Sequence, residues 1–497
     1  MDNQNNLTEL EAGDQKIIEN KELSIWEALI PVVALVIMLL FNVKFVFGDA
    51  ALDGSNQFIL LLGAAIAAIV GFFNKVSYER MLEEVSENIR STSGAILILL
   101  FVGSLAGTWL LSGIIPSMIY YGLQILNPSI FLPACVIICA IISVATGSSW
   151  TTSATVGIAL VGIGNALGIN PGMTAGAVIS GAYFGDKMSP LSDTTNLAPA
   201  MAGGELFSHI KYMTYTTVPT IIITLVIFVI ISLSLDVSGK TDTSVMLASI
   251  KESFNISPVL FIVPIIVIFM IVKKAPPLVA LMVGTLLGGI FAVIFQPDLV
   301  KQVAGTEDLS FISAYKGVMN AMTVDTSITT SSAALNDLFS SGGMKGMLGT
   351  IWLIICAMVF GGVMDAIGAL ARISRAVLNL FDSIFGLFVS TVISCVGLNA
   401  LASDQYLAIV IPGRMYKKAF EDKGLAPENL SRTLEDSGTV TSVLVPWNTC
   451  GAYQSGVLGV DTMSYVGYAF FNYLSPIMTL TFAAFKIKIK QLVKEVV

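Results

Sequence analysis

Runs of about 20 predominantly apolar residues, the length an α-helix needs to cross a hydrocarbon layer, recur along the whole chain. They lie near residues 26–47, 57–74, 93–112, 171–200, 212–234, 256–273, 276–295, 343–365, 433–456 and 466–485. Hydrophobic residues make up 55% of the chain and charged residues only 12%. Inside hydrocarbon every backbone N–H and C=O needs a partner within the protein, so continuous runs of this length select helices. The fold class expected is an all-α polytopic membrane protein. The first run follows a polar, acidic start, Met1 to Asn20. That order differs from a cleaved signal peptide, which has a basic start and a small-residue cleavage site. The first run is therefore expected to stay as a helix.

One segment breaks the apolar pattern. Gly181-Ala-Tyr-Phe-Gly-Asp-Lys-Met-Ser-Pro-Leu-Ser-Asp-Thr-Thr-Asn-Leu-Ala-Pro199 carries two aspartates, a lysine and two prolines. Ionised groups and interrupted backbone survive at membrane depth only where they face protein or a water-filled cavity. Residues 128–168 and 383–412 are also unusual: both are apolar at their ends and polar in the centre. Their centres read Thr146-Gly-Ser-Ser-Trp-Thr-Thr-Ser153 and Asn399-Ala-Leu-Ala-Ser-Asp-Gln405. Each arm is short for a full crossing, so these stretches are expected to be re-entrant helical hairpins with polar tips at mid-depth.

Charge sets the expected orientation. With the amino terminus inside, the inside loops hold 19 of the 26 Lys and Arg residues and the outside loops hold 6, with Lys187 left in the membrane. This asymmetry places both termini in the cytoplasm. The first hairpin then enters from outside and the second from inside. The matching order of elements predicts an inverted repeat. The expected divisions are a cytoplasmic tail (1–25), a first membrane repeat (26–234, with hairpin 128–168 and broken helix 171–200) and a linker (235–255). A second repeat (256–485, with hairpin 383–412 and broken helix 433–456) and a cytoplasmic tail (486–497) follow. Leu191–Thr195 is read as the counterpart of Leu434–Gly438. The stretch from 296 to 342 is expected to be an exposed connector, with Asp325 and Asp337 as gate candidates. Residues from Arg414 to Arg432 are expected to form a solvated inside linker.

Inverted repeats with interrupted helices point to a secondary transporter with a midplane site. Asp193 is the first candidate for that site. Thr194, Thr195 and Asn196 follow it, and Pro190 and Pro199 free backbone carbonyls nearby. A small hard cation takes several oxygen ligands, so Asp193, Thr194 and Asn196 are candidates for Na⁺. A buried carboxylate can hold a cation or a proton, so Na⁺ and H⁺ can compete at one residue. The alternative role for Asp193, a cap on a half-helix, is compatible with ion binding. Asp186 neighbours Lys187, and either a structural charge pair or direct ion transfer fits it. The first tip adds Ser148, Ser149 and Thr151 as neutral ligands. The second half offers Asp404, Asp436 and Asn448 for ion or proton binding. Glu435 and Asp365 can equally be interfacial.

Other function classes find little support. There is no basic patch with interleaved aromatics for nucleic acid. The five cysteines lack CxxC spacing and sit mostly in apolar runs, as small buried residues do. The single histidine, His209, is expected at the membrane interface. No cofactor is expected, and Na⁺ and H⁺ are the expected transported species. An intramembrane aspartyl protease needs Gly-x-Gly-Asp, but Tyr183 occupies the first glycine position before Phe184-Gly-Asp186. A passive channel is a further alternative, separable by saturable coupled exchange.

The run Ser180–Pro199 resembles the signature of the NhaC family of bacterial Na⁺/H⁺ antiporters. Thr146–Gly157, Asp404–Tyr416 and Leu434–Gly451 resemble its other marked segments. The similarity spans nearly the whole chain after Asn20. It implies an antiporter of the bacterial cytoplasmic membrane that moves by an elevator-like shift of its hairpin-bearing core, with a homodimer as the assembly its relatives suggest. Such a family also includes malate/lactate exchangers and amino-acid transporters. The resemblance therefore leaves a small organic anion or amino acid open as cargo beside Na⁺ and H⁺.

Overall fold

The computed structural model describes residues 23–47, 54–125, 127–235, 243–330 and 339–492. Nearly all of the expected amino-terminal tail, part of the linker, Asp337 and the last five residues lie outside the described residues. Among the described residues, eight helices are long and apolar enough to cross a membrane. A ninth crossing results if Ser244–Ser253 and Pro258–Val272, bent by 83°, count as one. The helix Ile25–Phe41 shows why lipid must surround them. Ala28, Pro31, Leu35 and Leu39 form one buried stripe, while Trp26, Ile30, Val33, Ile37 and Leu40 are exposed. A helix that is apolar all round but buried along one stripe has hydrocarbon against its other faces. The chain is an integral membrane protein.

Both polar-centred stretches fold as hairpins. The first descends through Phe131–Thr146 and returns through Ser149–Thr152, a π turn at Ser153–Gly157, and Ile158–Ala166. Gly147 reverses the chain in the left-handed region at φ 70°, where a side chain is disfavoured. The return brings Gly164 back beside the first arm: a Cβ there would stand 3.1 Å from the Phe131 ring. The second hairpin pairs Ile384–Leu401 with Gln405–Asp422. Ser394 and Tyr416 are hydrogen-bonded at 2.9 Å, and the Phe388 and Phe420 rings meet edge to face.

Each hairpin is followed by a broken helix. Pro171–Met188 stops and Asp193–Ala202 continues. In the second half Pro427–Leu434 passes through a π turn, Glu435–Thr439, breaks, and resumes at Thr449–Leu458. The halves correspond at a spacing of 256 residues. Pro171 and Pro427 each open a helix, Ser192 and Asn448 each cap one, and Gly203 and Gly459 each end one in the left-handed region. Gly147 and Ser403 share a positive φ at the hairpin tips, and Ser148 and Asp404 cap the return arms.

This spacing corrects the pairing of Leu191–Thr195 with Leu434–Gly438. The second broken helix begins at Pro427, earlier than residue 433, and Ser192-Asp193 correspond to Asn448-Thr449. A stretch rich in Glu, Asn and Arg looks like a solvated loop, yet here Glu428, Asn429 and Arg432 are buried. Tyr212 donates to Asn429 Oδ1 at 2.6 Å, and the Arg432 guanidinium lies 4.6 Å from the Tyr212 ring centre. Internal partners replace water. Within the connector 296–342, Pro297–Ala304 and Phe311–Thr323 are helices. Asp325 is exposed and paired with Lys345 at 2.8 Å.

Contacts establish the opposed directions. Pro171–Met188 runs parallel to Phe131–Thr146, with Gly181 against Val136 and Cys139 and Gly185 against Ala140 and Ser143. The first hairpin's return arm runs beside Thr449–Leu458, with Trp150 stacked on Tyr453 at 4.0 Å and Gly157 against Leu458. The second hairpin's return arm runs beside Asp193–Ala202, with Gly413 against Met201 and Lys417 against Gly203. The first return arm therefore leads away from the midplane toward one face, and the second leads toward the other. Around this core the halves interlock. Ser93–Leu111 packs on Pro277–Phe295 and Phe311–Thr323, and Leu348–Ala366 packs on Ser55–Phe73 and Tyr78–Ser91.

The parallel contact depends on glycine. A Cβ at Gly185 would stand 2.5 Å from both the Ala140 carbonyl oxygen and Ser143 Cβ, whereas Gly94 has nothing within 4 Å. Gly185→Val is expected to destabilise the protein by about 1–3 kcal/mol through overpacking. Gly94→Ala is expected to leave the melting temperature in detergent unchanged, and the comparison of the two melts checks the packing.

Candidate functional site

Interrupting a helix at mid-depth exposes free N–H groups at the restart and free carbonyls at the stop. The chain supplies partners for both. Ser148 Oγ accepts from Thr151 N at 3.2 Å, and Ser192 Oγ accepts from Thr195 N at 3.4 Å. Asp404 Oδ1 accepts from Tyr406 N and Leu407 N at 2.8 and 3.0 Å. Asn448 Oδ1 accepts from Cys450 N at 3.0 Å. Short oxygen-bearing side chains occupy these positions because each can reach the N–H two or three residues ahead.

These four restarts converge on a cavity of about 470 Å³ lined by both hairpin tips and both broken helices. Asp186, Asp193 and Asp404 line it, as do Ser148, Thr151, Thr194 and Thr449. Thr92, Ile98, Lys274 and Pro276 close its other wall, so the cavity lies between the hairpin-bearing core and the interlocked helices. Helix N-termini carry partial positive charge, and three carboxylates among four such ends offset it.

The three carboxylates are held differently. Asp186 is buried and accepts from Ser149 Oγ at 2.6 Å and Ser149 N at 3.1 Å, which ties the first hairpin tip to the end of the broken helix. Asp404 is buried and committed to its cap on one oxygen. Asp193, expected as a buried carboxylate, is instead exposed to the cavity. It stands at the first turn of its half-helix, beyond the seal made by Ser192 and the loop. Thr194 lies beside it, its hydroxyl 3.2 Å from Ser192 Oγ.

Other sequence candidates hold the break together. Thr195 Oγ1 donates to the Asp186 and Lys187 carbonyls at 3.2 and 3.1 Å. Asn196 Nδ2 donates to the Pro190 and Ser192 carbonyls at 3.0 and 2.7 Å. Asn448 Nδ2 reaches the Asn399 carbonyl at 2.9 Å. These amides and hydroxyls substitute for the helical bonds that the interruption removes.

Lys187 does not pair with Asp186. Neighbouring positions on a helix point about 100° apart, so Asp186 faces the first hairpin tip while Lys187 enters the core. There it forms a fully buried ion pair with Asp436. The other Asp436 oxygen accepts from Thr216 Oγ1 at 2.9 Å and from Thr479. Asp436 is therefore saturated and lies apart from the residues that line the cavity. His209, expected at the interface, is also buried, with Nδ1 2.7 Å from Ser431 Oγ. Gln405 and Tyr406 line the cavity unforeseen. Their signal was available, since they follow the cap residue of a tip already read as polar. Lys274 and Thr92 had none, because they come from distant helix junctions.

The pair Lys187–Asp436 yields a direct test. Breaking a buried pair by removing one partner costs about 3–5 kcal/mol. Lys187→Met is expected to show that loss by thermal unfolding in detergent. Lys187→Met with Asp436→Leu is expected to recover much of it, because no unpaired charge remains.

The family model described as the Na⁺/H⁺ antiporter family matches residues 181–487. The chain is 36% identical to the Na⁺/H⁺ antiporter NhaC of Alkalihalophilus pseudofirmus, over 85% of this chain and 88% of that one. It is 35% identical to the malate-2H⁺/Na⁺-lactate antiporter of Bacillus subtilis, again over 85% and 88%. It is 32% identical to the arginine/ornithine antiporter ArcD of Halobacterium salinarum, over 93% of this chain and 92% of that one.

Proposed function

The chain belongs to the Na⁺/H⁺ antiporter family, and we propose that it exchanges Na⁺ for H⁺ across the bacterial cytoplasmic membrane as a carrier. The observation that carries this reading is the single cavity in which two hairpin tips and two helix breaks bring together Asp186, Asp193 and Asp404. Asp193 is the residue at which Na⁺ and H⁺ compete, because its carboxylate faces the cavity and has Thr194 beside it. Hydroxyls of Ser148 and Thr151 complete an oxygen-rich surface of the kind a hard cation takes. Asp186 and Asp404 add negative charge at close range. Cation entry expels the proton from Asp193, and proton entry expels the cation.

The cavity lining includes Ser91, Thr92 and Lys274, at helix junctions that the charge asymmetry assigns to the cytoplasmic side. Under that orientation we read the protein as inward-facing, with both termini inside. The core of hairpins and broken helices then moves against the interlocked helices to reach the other side.

A second reading has its own support. A volume near 470 Å³ falls within the roughly 300–1,000 Å³ of small-molecule sites and far exceeds a bare ion. Helix N-termini at its wall favour carboxylate groups. A small organic anion or an amino acid, such as the relatives' names specify, is the cargo that this reading adds.

Proteoliposomes with an internal pH dye separate the readings. Na⁺ or Li⁺ pulses without organic solutes are expected to move protons in the wild-type protein and to move none in Asp193→Asn. Full coupled transport by Asp193→Asn would sink the site assignment. Proton movement that requires added malate, lactate or arginine would favour the second reading.

A further inference from the structure

The buried polar cluster behind the cavity contains, among the described residues, an acid that stands outside its ion pair. Glu435 is fully buried; among the described residues its carboxyl oxygens meet no donor at full hydrogen-bonding geometry, and the hydrogen-bonding group beside them is the Thr439 hydroxyl of its own turn. It opens the π turn Glu435–Thr439, a departure from α-helical bonding that recurs at functional sites. The charged groups facing it are Lys187 and Asp186 from the first broken helix and Asp436 from its own. Lys187 is bonded to Asp436, so the nearest ammonium is already engaged. Asp186, in turn, lines the cavity.

An ionised carboxylate outside an ion pair at such a place carries a desolvation cost, which a bound proton removes. Structural acids in this core show the contrast: Asp436 has an ammonium and two hydroxyls, and Asp404 caps a helix. The saturated ion pair and Asp186, which lines the cavity, are the charged groups that act on Glu435.

We propose that Glu435 is a proton-binding residue of this protein, separate from the carboxylate at which the cation binds, and that Lys187 is the group against which its charge is exchanged. When the Glu435 O–H bond breaks, the electron pair stays on the carboxylate. The proton leaves toward the Asp186 carboxylate or toward water in the cavity. The new anion then competes with Asp436 for the Lys187 ammonium. Protonation reverses this and returns Lys187 to Asp436, the arrangement present here. Deprotonation at one acid is thereby linked to a change of partner in the ion pair that joins the two broken helices.

The use of this proton in exchange rests on the antiport reading, but its existence does not. Infrared difference spectra of the purified protein between acid and alkaline pH test it directly. The wild-type protein is expected to show the C=O stretch of a carboxylic acid that disappears as pH rises. Glu435→Gln is expected to lose that band, and Glu435→Asp to keep one at a shifted frequency. In proteoliposomes Glu435→Gln is expected to flatten the pH dependence of Na⁺-driven proton movement, with Glu435→Asp partly restoring it. An unchanged carboxylic-acid band in Glu435→Gln would overturn the inference whatever the cargo is. Failure of the antiport reading shows elsewhere, as absence of Na⁺-driven proton movement in the wild-type protein.

Discussion

Backbone interrupted in the middle of a membrane has to find its hydrogen bonds inside the protein, and the architecture answers that requirement four times over. Two hairpin tips and two helix breaks each leave free N–H groups. Each is met by a short side chain, Ser148, Ser192, Asp404 or Asn448. Free carbonyls at the first break are met by Thr195 and Asn196. Placing the four interruptions together concentrates polarity in one region, so that hydrocarbon need not surround any of it. The cavity is the consequence of that economy. Residues that close the backbone leave room for those that face inward, above all Asp193.

Opposed symmetry brings the interruptions together. Units that repeat at 256 residues and enter from opposite faces have their tips meet near the midplane. Their post-break half-helices then lie beside each other's hairpins. The same exchange holds outside the core, where Ser93–Leu111 and Leu348–Ala366 are each packed by helices of the other half. Neither half buries its polar tip alone. The glycines at 181 and 185 let two helices run in parallel close enough to bring Asp186 to Ser149. Packing at these glycines thus determines the placement of a charge.

Behind the cavity lies a second layer of polar groups, built from Lys187, Asp436, Glu435 and Arg432, all fully buried. Ion pairs of this kind add little net stability, because desolvation offsets much of the Coulomb attraction. Their arrangement is better understood as a linkage between the two broken helices. Lys187 belongs to the first and Asp436 to the second, so any relative movement of these elements bears on the pair. Among the described residues Arg432 reaches no hydrogen-bond partner with its nitrogens, and it is held against the faces of Tyr212 and Phe482.

Much of the architecture was legible from residue order. Apolar runs dictated helices, because hydrocarbon leaves the backbone no other solution. Polar centres in 128–168 and 383–412 dictated reversals, and the Pro- and Asp-bearing run from 181 to 199 dictated a broken helix. Composition could not reveal where charged residues turn when water is replaced by protein. Arg432 and Glu428 read as solvated and are buried, since their partners Tyr212, Ser208 and Lys490 come from elements more than fifty residues away. Adjacent Asp186 and Lys187, for which a charge pair and direct ion transfer were both open, face apart, since a helix rotates neighbours by about 100°. Asp193 read as buried and faces open space, since the cap at Ser192 already seals the break. Residue types and their order determined the helices, the interruptions and the acids available at mid-depth. Tertiary structure alone decided which acid meets the cavity, which holds the ion pair and which stands outside it, because those outcomes depend on contacts between segments far apart in the chain.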